Sequence, residues 1–239
     1  MKSTLLDKSF RILERIAAAR TPVTLKELAA DLELNTSTVS RIASDLAERN
    51  LIRKAGYHSF VPSTGLIRLG QAALDTPLLR SVSELLKERV TELGVNGAFA
   101  GLDAGHLVLL CAREAGGGER KVPPLWDSPL AAAILAELRD RAMAESFFET
   151  SVAAEMPPPD TGRAREQFLQ WYRAAAEHGY VAINEPRREW SVSFPVAAGT
   201  DVYGIALYGN GAERCNIDRM QFECSRLASR LSSMLNGLR

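Results

Sequence analysis

A chain of 239 residues, 46% hydrophobic and 24% charged, has the make-up of an ordinary globular protein with room for two domains. No apolar run nears the roughly 20 residues needed to cross a bilayer, and the N-terminal stretch MKSTLLDKSFRILERI carries too many scattered charges for a signal peptide. Cys111, Cys215 and Cys224 form no C-x-x-C pair, so the sequence predicts reduced thiols in a cytoplasmic setting, with no zinc site and no disulfide framework.

The 29 basic and 29 acidic side chains cancel, which on its face argues against a nucleic-acid partner. Their distribution argues the other way. Residues 1–70 hold 11 Lys/Arg against 7 Asp/Glu, while residues 71–239 hold 18 against 22. A basic head on an acidic body lets only the head approach a polyanion.

In chain order, Leu6, Phe10, Leu13 and Ala17 recur at helical spacing, widened by Leu5, Ile12 and Ile16, and predict a first helix. Thr21-Pro22 ends it. Thr24-Leu25-Lys26-Glu27 is a capping box, in which the hydroxyl and the carboxylate each satisfy the other residue's backbone donor. It opens a short helix over Leu25–Leu32. After the turn Glu33-Leu34-Asn35, either Asn35 or Thr36 can cap a second helix with an apolar face of Val39, Ile42, Ala43 and Leu46.

Two short helices joined by a tight turn form a helix-turn-helix pattern. The second helix carries Thr36, Ser37, Thr38, Ser40 and Arg41 near its start. Short hydroxyls let a helix N-terminus approach phosphate closely, and Arg41 can reach a base edge. Leu51-Ile52-Arg53-Lys54, a turn at Ala55-Gly56, then Tyr57-His58-Ser59-Phe60-Val61 predict a hairpin, or wing. Arg53, Lys54, Tyr57 and His58 are its candidate DNA contacts.

Further along, Leu78, Leu79, Val82, Leu85, Leu86, Val90 and Leu93 predict an amphipathic helix ending near Gly94. Residues 94–99 and 106–111 are expected as strands, joined by a turn at Asp103-Ala104-Gly105. Gly116-Gly117-Gly118 is expected as a loop and Pro157-Pro158-Pro159 as a linker. A helix over Arg163–His178 should stop at Gly179. Strands over Ser191–Val196 and Val202–Tyr208 follow, and a last helix over Ile217–Leu238 presents Cys224, Leu227, Leu231, Met234, Leu235 and Leu238.

Residues 6–70, with Leu25-x-Glu27-Leu28-Ala29, Ser37-Thr38-Val39-x-Arg41 and Leu46-x-Glu48-Arg49, resemble the IclR family of regulators. The body is similar to the GAF-like effector domain of that family: Phe168 to Gly179-Tyr180, then Phe194-Pro195-Val196 and Gly204-Ile205-Ala206-Leu207, follow its order. The resemblance implies an α+β fold: a winged helix-turn-helix over 1–63, a linker helix over 64–77, and a GAF-like antiparallel sheet flanked by helices over 78–239. It also implies the effector pocket. The family's S-A-x-G-K-A segment becomes Ser128-Pro129-Leu130-Ala131-Ala132-Ala133, its pocket cysteine falls at Ser191, its acid at or beside Asn184, and its two serines at Ala206 and Tyr208.

Trp126 and Tyr208 serve either as core or as ligand-lining aromatics, and Ser191, Ser193 and Asn184 would supply polar groups. With no carboxylate left to pair a cation, a neutral or anionic metabolite is expected. There is no G-x-S-x-G, H-E-x-x-H, Walker A or G-x-G-x-x-G motif, and no cofactor is expected. The expected function is a DNA-binding transcription regulator. Its dimer or tetramer would sit on a palindromic operator in double-stranded DNA, with affinity set by a small-molecule effector and with no membrane partner. The rivals are a GAF-fold enzyme using a cysteine for redox chemistry, and a winged helix attached to a ligandless oligomerisation body.

Overall fold

Thr4 starts the first helix, α1 (Leu5–Ala17), by accepting a hydrogen bond from the Asp7 N–H at 3.2 Å, which satisfies one of the first-turn donors that no helix can pair internally. The computed structural model describes residues 4–103, 106–114, 125–154, 157–184, 189–210 and 215–237. Its chain separates into two compact units between Thr76 and Pro77.

In the first unit the capping box forms as expected. The Thr24 N–H donates to Glu27 Oε2 at 2.7 Å and the Glu27 N–H donates to Thr24 Oγ1 at 3.2 Å. The Thr24 backbone N–H, then its hydroxyl, hold the Glu27 carboxyl below its ordinary value. The box starts α2 (Leu25–Asp31), and α3 (Thr36–Glu48) follows from Asn35, whose side chain makes no cap hydrogen bond. Ile12 and Ile16 of α1, Leu28 of α2, and Val39, Ile42, Ala43 and Leu46 of α3 share one buried core with Val23, Ile52 and Phe60.

The wing has three strands rather than two: β1 (Val23–Thr24), β2 (Ile52–Gly56) and β3 (Ser59–Pro62), in the order β1-β3-β2. Its turn is at Tyr57-His58, two residues beyond the expected Ala55-Gly56. A register shift between Lys54 and Gly56 absorbs the extra residue, and His58 takes the left-handed conformation at φ +55°, which a histidine tolerates better than a β-branched residue does. The helix α4 (Thr64–Leu74) is docked by its second residue. The Gly65 N–H donates to the Asn50 carbonyl, and a Cβ on Gly65 would stand 2.4 Å from that oxygen.

The second unit opens with α5 (Pro77–Leu93), stopped by Gly94 at φ +66°, a left-handed position that favours glycine. Its sheet is antiparallel: β4 (Asn96–Asp103), β5 (His106–Arg113), β6 (Val181–Asn184), β7 (Glu189–Ala198) and β8 (Asp201–Asn210), in the order β5-β4-β8-β7-β6. Ala104 and Gly105 of the expected turn lie outside the described residues, as do Gly116–Gly118 and Leu238. The strand β6, with Asn184 at its end, lies where no strand was expected.

Along β7 and β8 alternate side chains fall on opposite faces. Trp190, Val192, Val196, Ile205 and Leu207 share a core with Val82, Leu86 and Val90 of α5, and with Cys224, Leu227, Leu231 and Leu235 of α9 (Ile217–Asn236). The other face is lined by Ala98, Ala100 and Ala206, which pack with Leu130 and Ile134 of α6 (Pro129–Glu137). Behind α6, a third cluster joins Phe147 and Phe148 of α7 (Arg141–Ala154) to Phe168 and Tyr172 of α8 (Thr161–His178). Gly179, at φ +80°, ends α8 as expected.

The seat of α6 depends on an absent side chain. A Cβ on Gly204 would stand 2.6 Å from Leu130 Cδ1 and 2.7 Å from Ile134 Cγ1. Gly204→Ala should therefore push α6 off β8 and cost about 1–3 kcal/mol, the usual range for overpacking a close contact. Urea denaturation measures this, and an unchanged midpoint would mean that α6 is not seated on the strand.

Candidate nucleic-acid interface and ligand face

Two surfaces follow from these elements, one in each unit. On α3 the period of 3.6 separates the side chains cleanly. Val39, Ile42, Ala43 and Leu46 are buried, while Thr36, Ser37, Ser40 and Arg41 are exposed and Thr38 is half-buried. Because Ile12, Ile16 and Leu28 hold the buried row, the hydroxyls and Arg41 project from a helix whose rotation is set by its core. The first-turn N–H groups stand at the same end as Thr36 and Ser37, where the helix dipole favours an anion.

The wing divides its four candidate residues. Lys54 lies opposite Phe60, whereas Arg53 lies opposite Val61. Cross-strand partners share a face and strand neighbours do not, so the two cations leave the ribbon on opposite sides. Tyr57 at the turn is 91% exposed, and its ring meets that of His58 edge-on at 4.1 Å between centroids. Both rings thus belong to the tip of the wing and not to a strand.

On the body, the sheet register brings four of the expected ligand residues to one face. Ser191 lies opposite Tyr208, and Ser193 opposite Ala206. Across the other edge Ser191 pairs with Ile183 and Ser193 with Val181. Ser193 is 1% exposed, Ala206 belongs to the cluster under α6, and Tyr208 packs against that cluster with its hydroxyl buried. The polar part of this face is therefore built of neutral hydroxyls.

Ser128 is the N-cap of α6, and its Oγ accepts the Ala131 N–H at 3.2 Å. Half-buried Trp126, in a single 3-10 turn over Leu125–Asp127, packs against the cluster of α6, α7 and α8. The structure does not bring Asn184 to these residues. It pairs with Trp190, whose side chain belongs to the α5 and α9 core on the reverse face, and it is exposed. Ala98, Ala100, Gly204, Leu130 and Ile134 line the same candidate face but were not singled out from the sequence. The alternating small residues Ala98-x-Ala100 and Gly204-x-Ala206 carry that information, since small side chains on neighbouring strands admit a helix.

Cys224 is fully buried, and its Sγ donates to the Val192 carbonyl at 3.4 Å. Burial pushes the thiol up to about 12, against the lowering pull of the Leu207 and Phe194 backbone groups. A thiol held neutral in this way is a poor nucleophile. In the folded chain Cys224 should resist a disulfide reagent until denaturant is added. Fast native-state labelling at Cys224, located by mass spectrometry, would contradict its burial.

Residues 5–56 match the IclR helix-turn-helix domain family. No curated protein matches the chain. Among solved structures, the chain is similar to an IclR family transcriptional regulator from Brucella abortus, with 23% identity and a TM-score of 0.71 over 95% of this chain and 91% of that one. A transcriptional regulator from Alicyclobacillus acidocaldarius gives 16% identity and a TM-score of 0.64, covering 97% and 98% of the two chains. An IclR homolog from Microbacterium hydrocarbonoxydans, solved in complex with 4-hydroxybenzoate, gives 17% and 0.61, covering 98% and 100%.

Proposed function

We propose that this chain, which joins an IclR-type helix-turn-helix domain to a body with the fold of IclR-family regulators, is a cytoplasmic transcription regulator whose DNA affinity responds to a small molecule. The observation that carries the reading is α3, with its buried row fixed by the core and its Thr36, Ser37, Ser40 and Arg41 row exposed. In a helix-turn-helix that face enters the major groove, with the N-terminal residues at base edges. Thr38 borders it. Arg53, Lys54, Tyr57 and His58 would follow the backbone beside it. One head makes few contacts, so two heads on a palindromic operator, in a homodimer or homotetramer, supply the specificity.

The effector site in this reading is the face carrying Ser191, Ser193, Ala206 and Tyr208, closed by α6 and its cap Ser128, with Trp126 beside it. Its hydroxyl lining fits a neutral or anionic metabolite. The complex of the Microbacterium hydrocarbonoxydans homolog with 4-hydroxybenzoate supports a compound of that kind. A ligandless body is the second reading, favoured by the seating of Leu130 and Ile134 at Gly204, which fills the centre of the same face. No catalytic role is assigned to the chain.

Arg41→Ala should weaken operator binding while leaving the melting temperature unchanged. Lys54→Ala should weaken all DNA sequences about equally and lower the salt slope by roughly one unit. Fluorescence anisotropy across a salt series measures both, and parental affinity in both variants would remove the interface. Thermal shift against neutral and anionic metabolites, 4-hydroxybenzoate among them, separates the two readings of the body. A true effector at 100 times its Kd stabilises by about 2.7 kcal/mol. Ser191→Ala and Tyr208→Ala should each abolish that shift and spare DNA binding, whereas a shift that survives both substitutions places the ligand elsewhere.

A further inference from the structure

The end of α3 is built in a way that ties it to the next helix. The chain leaves α3 by a Schellman turn: the Asn50 N–H donates to the Ala47 carbonyl at 2.9 Å and the Leu51 N–H to the Leu46 carbonyl at 3.0 Å. Asn50 holds the left-handed conformation that this turn requires, at φ +63°, which asparagine accepts more readily than most side chains do. Leu51 packs against the core of the head, so the turn is anchored on both sides.

The start of α4 is hydrogen-bonded to that turn. The Ser63 N–H donates to the Leu51 carbonyl and the Gly65 N–H to the Asn50 carbonyl, both at 3.0 Å. Ser63 Oγ donates to Asn50 Oδ1 at 3.3 Å. Two features of α4 are poor choices for a helix start and make sense at this junction. Ser63 is the N-cap residue, yet its side chain makes no cap hydrogen bond, although capping is what serine ordinarily does there. Gly65 stands in the first turn despite its weak helix propensity. A Cβ at Gly65 would stand 2.4 Å from the Asn50 oxygen and 2.8 Å from its carbonyl carbon, backbone atoms that cannot swing aside. Beyond the junction every residue from Ile67 to Leu74 is exposed. The helix is thus held at its first turn and projects from the head.

We propose that Asn50, Ser63 and Gly65 are positioning residues for DNA recognition, which lock α3 and α4 into one rigid elbow. Bonds at several separate atoms fix rotation as well as distance, so the direction of α4 sets the direction of the exposed Thr36, Ser37, Ser40 and Arg41 row. The chain passes from α4 to the body at Thr76-Pro77, and a turn of α4 imposed from that end is a turn of α3. In a symmetric assembly the relative direction of two such helices sets the half-site spacing. The elbow therefore governs spacing, while the side chains of α3 govern half-site sequence. This role in recognition rests on the DNA-binding reading above, whereas the rigidity of the elbow is measured without DNA.

The test uses the full chain with spin labels at S44C and Q71C, both exposed positions. Half-buried Cys215 is replaced by serine, and Cys111 and Cys224 are buried. Dilution with unlabelled chain restricts the reading to distances within one chain. The parent should give one narrow distance distribution. Ser63→Ala and Gly65→Ala should each lose that single narrow peak with circular dichroism unchanged, whereas Asn50→Asp, which retains an acceptor oxygen, should keep it. Selection from a random duplex library then reads the DNA side. The parent should select one half-site sequence at one spacing, and Ser63→Ala and Gly65→Ala should keep the sequence and lose the preferred spacing. Distance distributions in both variants equal to the parent's overturn the elbow. Variants that keep the spacing, or that lose the half-site sequence with it, overturn the positioning role. A parent that selects no sequence overturns the DNA-binding reading and the role built on it, and the distances alone then judge the elbow.

Discussion

The alternation of side chains along β7 and β8 is the constraint on which the body depends. Trp190, Val192, Val196, Ile205 and Leu207 all fall to one side and seal against α5 and α9. A one-residue slip would turn that whole set to the other face, so the buried side pins the register. Once it is pinned, the opposite face has no freedom: Ser191 must stand beside Tyr208 and Ser193 beside Ala206. The small residues there and the bare Gly204 bring α6 into direct contact with the sheet. The hydroxyl groups of the candidate ligand face are thus placed by the apolar packing behind them.

The same constraint explains which parts of the site the sequence showed. The head was legible because its signals are local. A capping box, a 3.6-residue period and a Pro break each report within a few residues, and Thr24, Glu27 and the Val39 to Leu46 stripe behave as those signals require. The wing turn was misplaced because Ala55-Gly56 carries the usual turn chemistry, whereas the bulge between Lys54 and Gly56 moves the reversal to Tyr57-His58. In the body, alignment to a family pattern set Asn184 among the ligand residues. Strand β6 and its register with β7 set it opposite Trp190, a pairing between strands that no local sequence signal describes. The helix α6 was equally hidden. From Leu130 to Ala136 every residue is buried, so the segment has no polar face to reveal a helical period.

For an effector to act on DNA it must bind one arrangement of the protein better than another, and no tighter coupling is available than that difference, typically about 1–3 kcal/mol. The chemistry of the α6 face makes such a difference attainable. Leu130 and Ile134 are in contact with the position of Gly204, and Ser128, at the start of the same helix, spends its hydroxyl on the Ala131 N–H. A ligand hydrogen-bonded to Ser191 or Tyr208 would compete with that seating for space and for polar partners. Packed helix–sheet contacts move between discrete arrangements more readily than they deform smoothly, so displacement of α6 would reach the α7 and α8 cluster packed behind it.

Charge completes the division of labour between the two units. A net charge of zero would leave the molecule indifferent to a polyanion at a distance, since beyond roughly 8 Å at physiological salt only the local charges count. Near the DNA what matters is the surface that faces it. Arg41 is exposed on α3, and Arg53 and Lys54 are exposed on the two sides of the wing, while Asp45, one turn beyond Arg41, is an exposed carboxylate of the same helix. On the body the charges are mixed: α5 carries Arg80, Lys87 and Arg89 beside Glu84, Glu88 and Glu92, and α9 carries Asp218 and Glu223 beside Arg219, Arg226 and Arg230. A phosphate backbone would meet as much repulsion as attraction on such a mixture. The difference between the two units supports the reading that a polyanion meets the head and not the body.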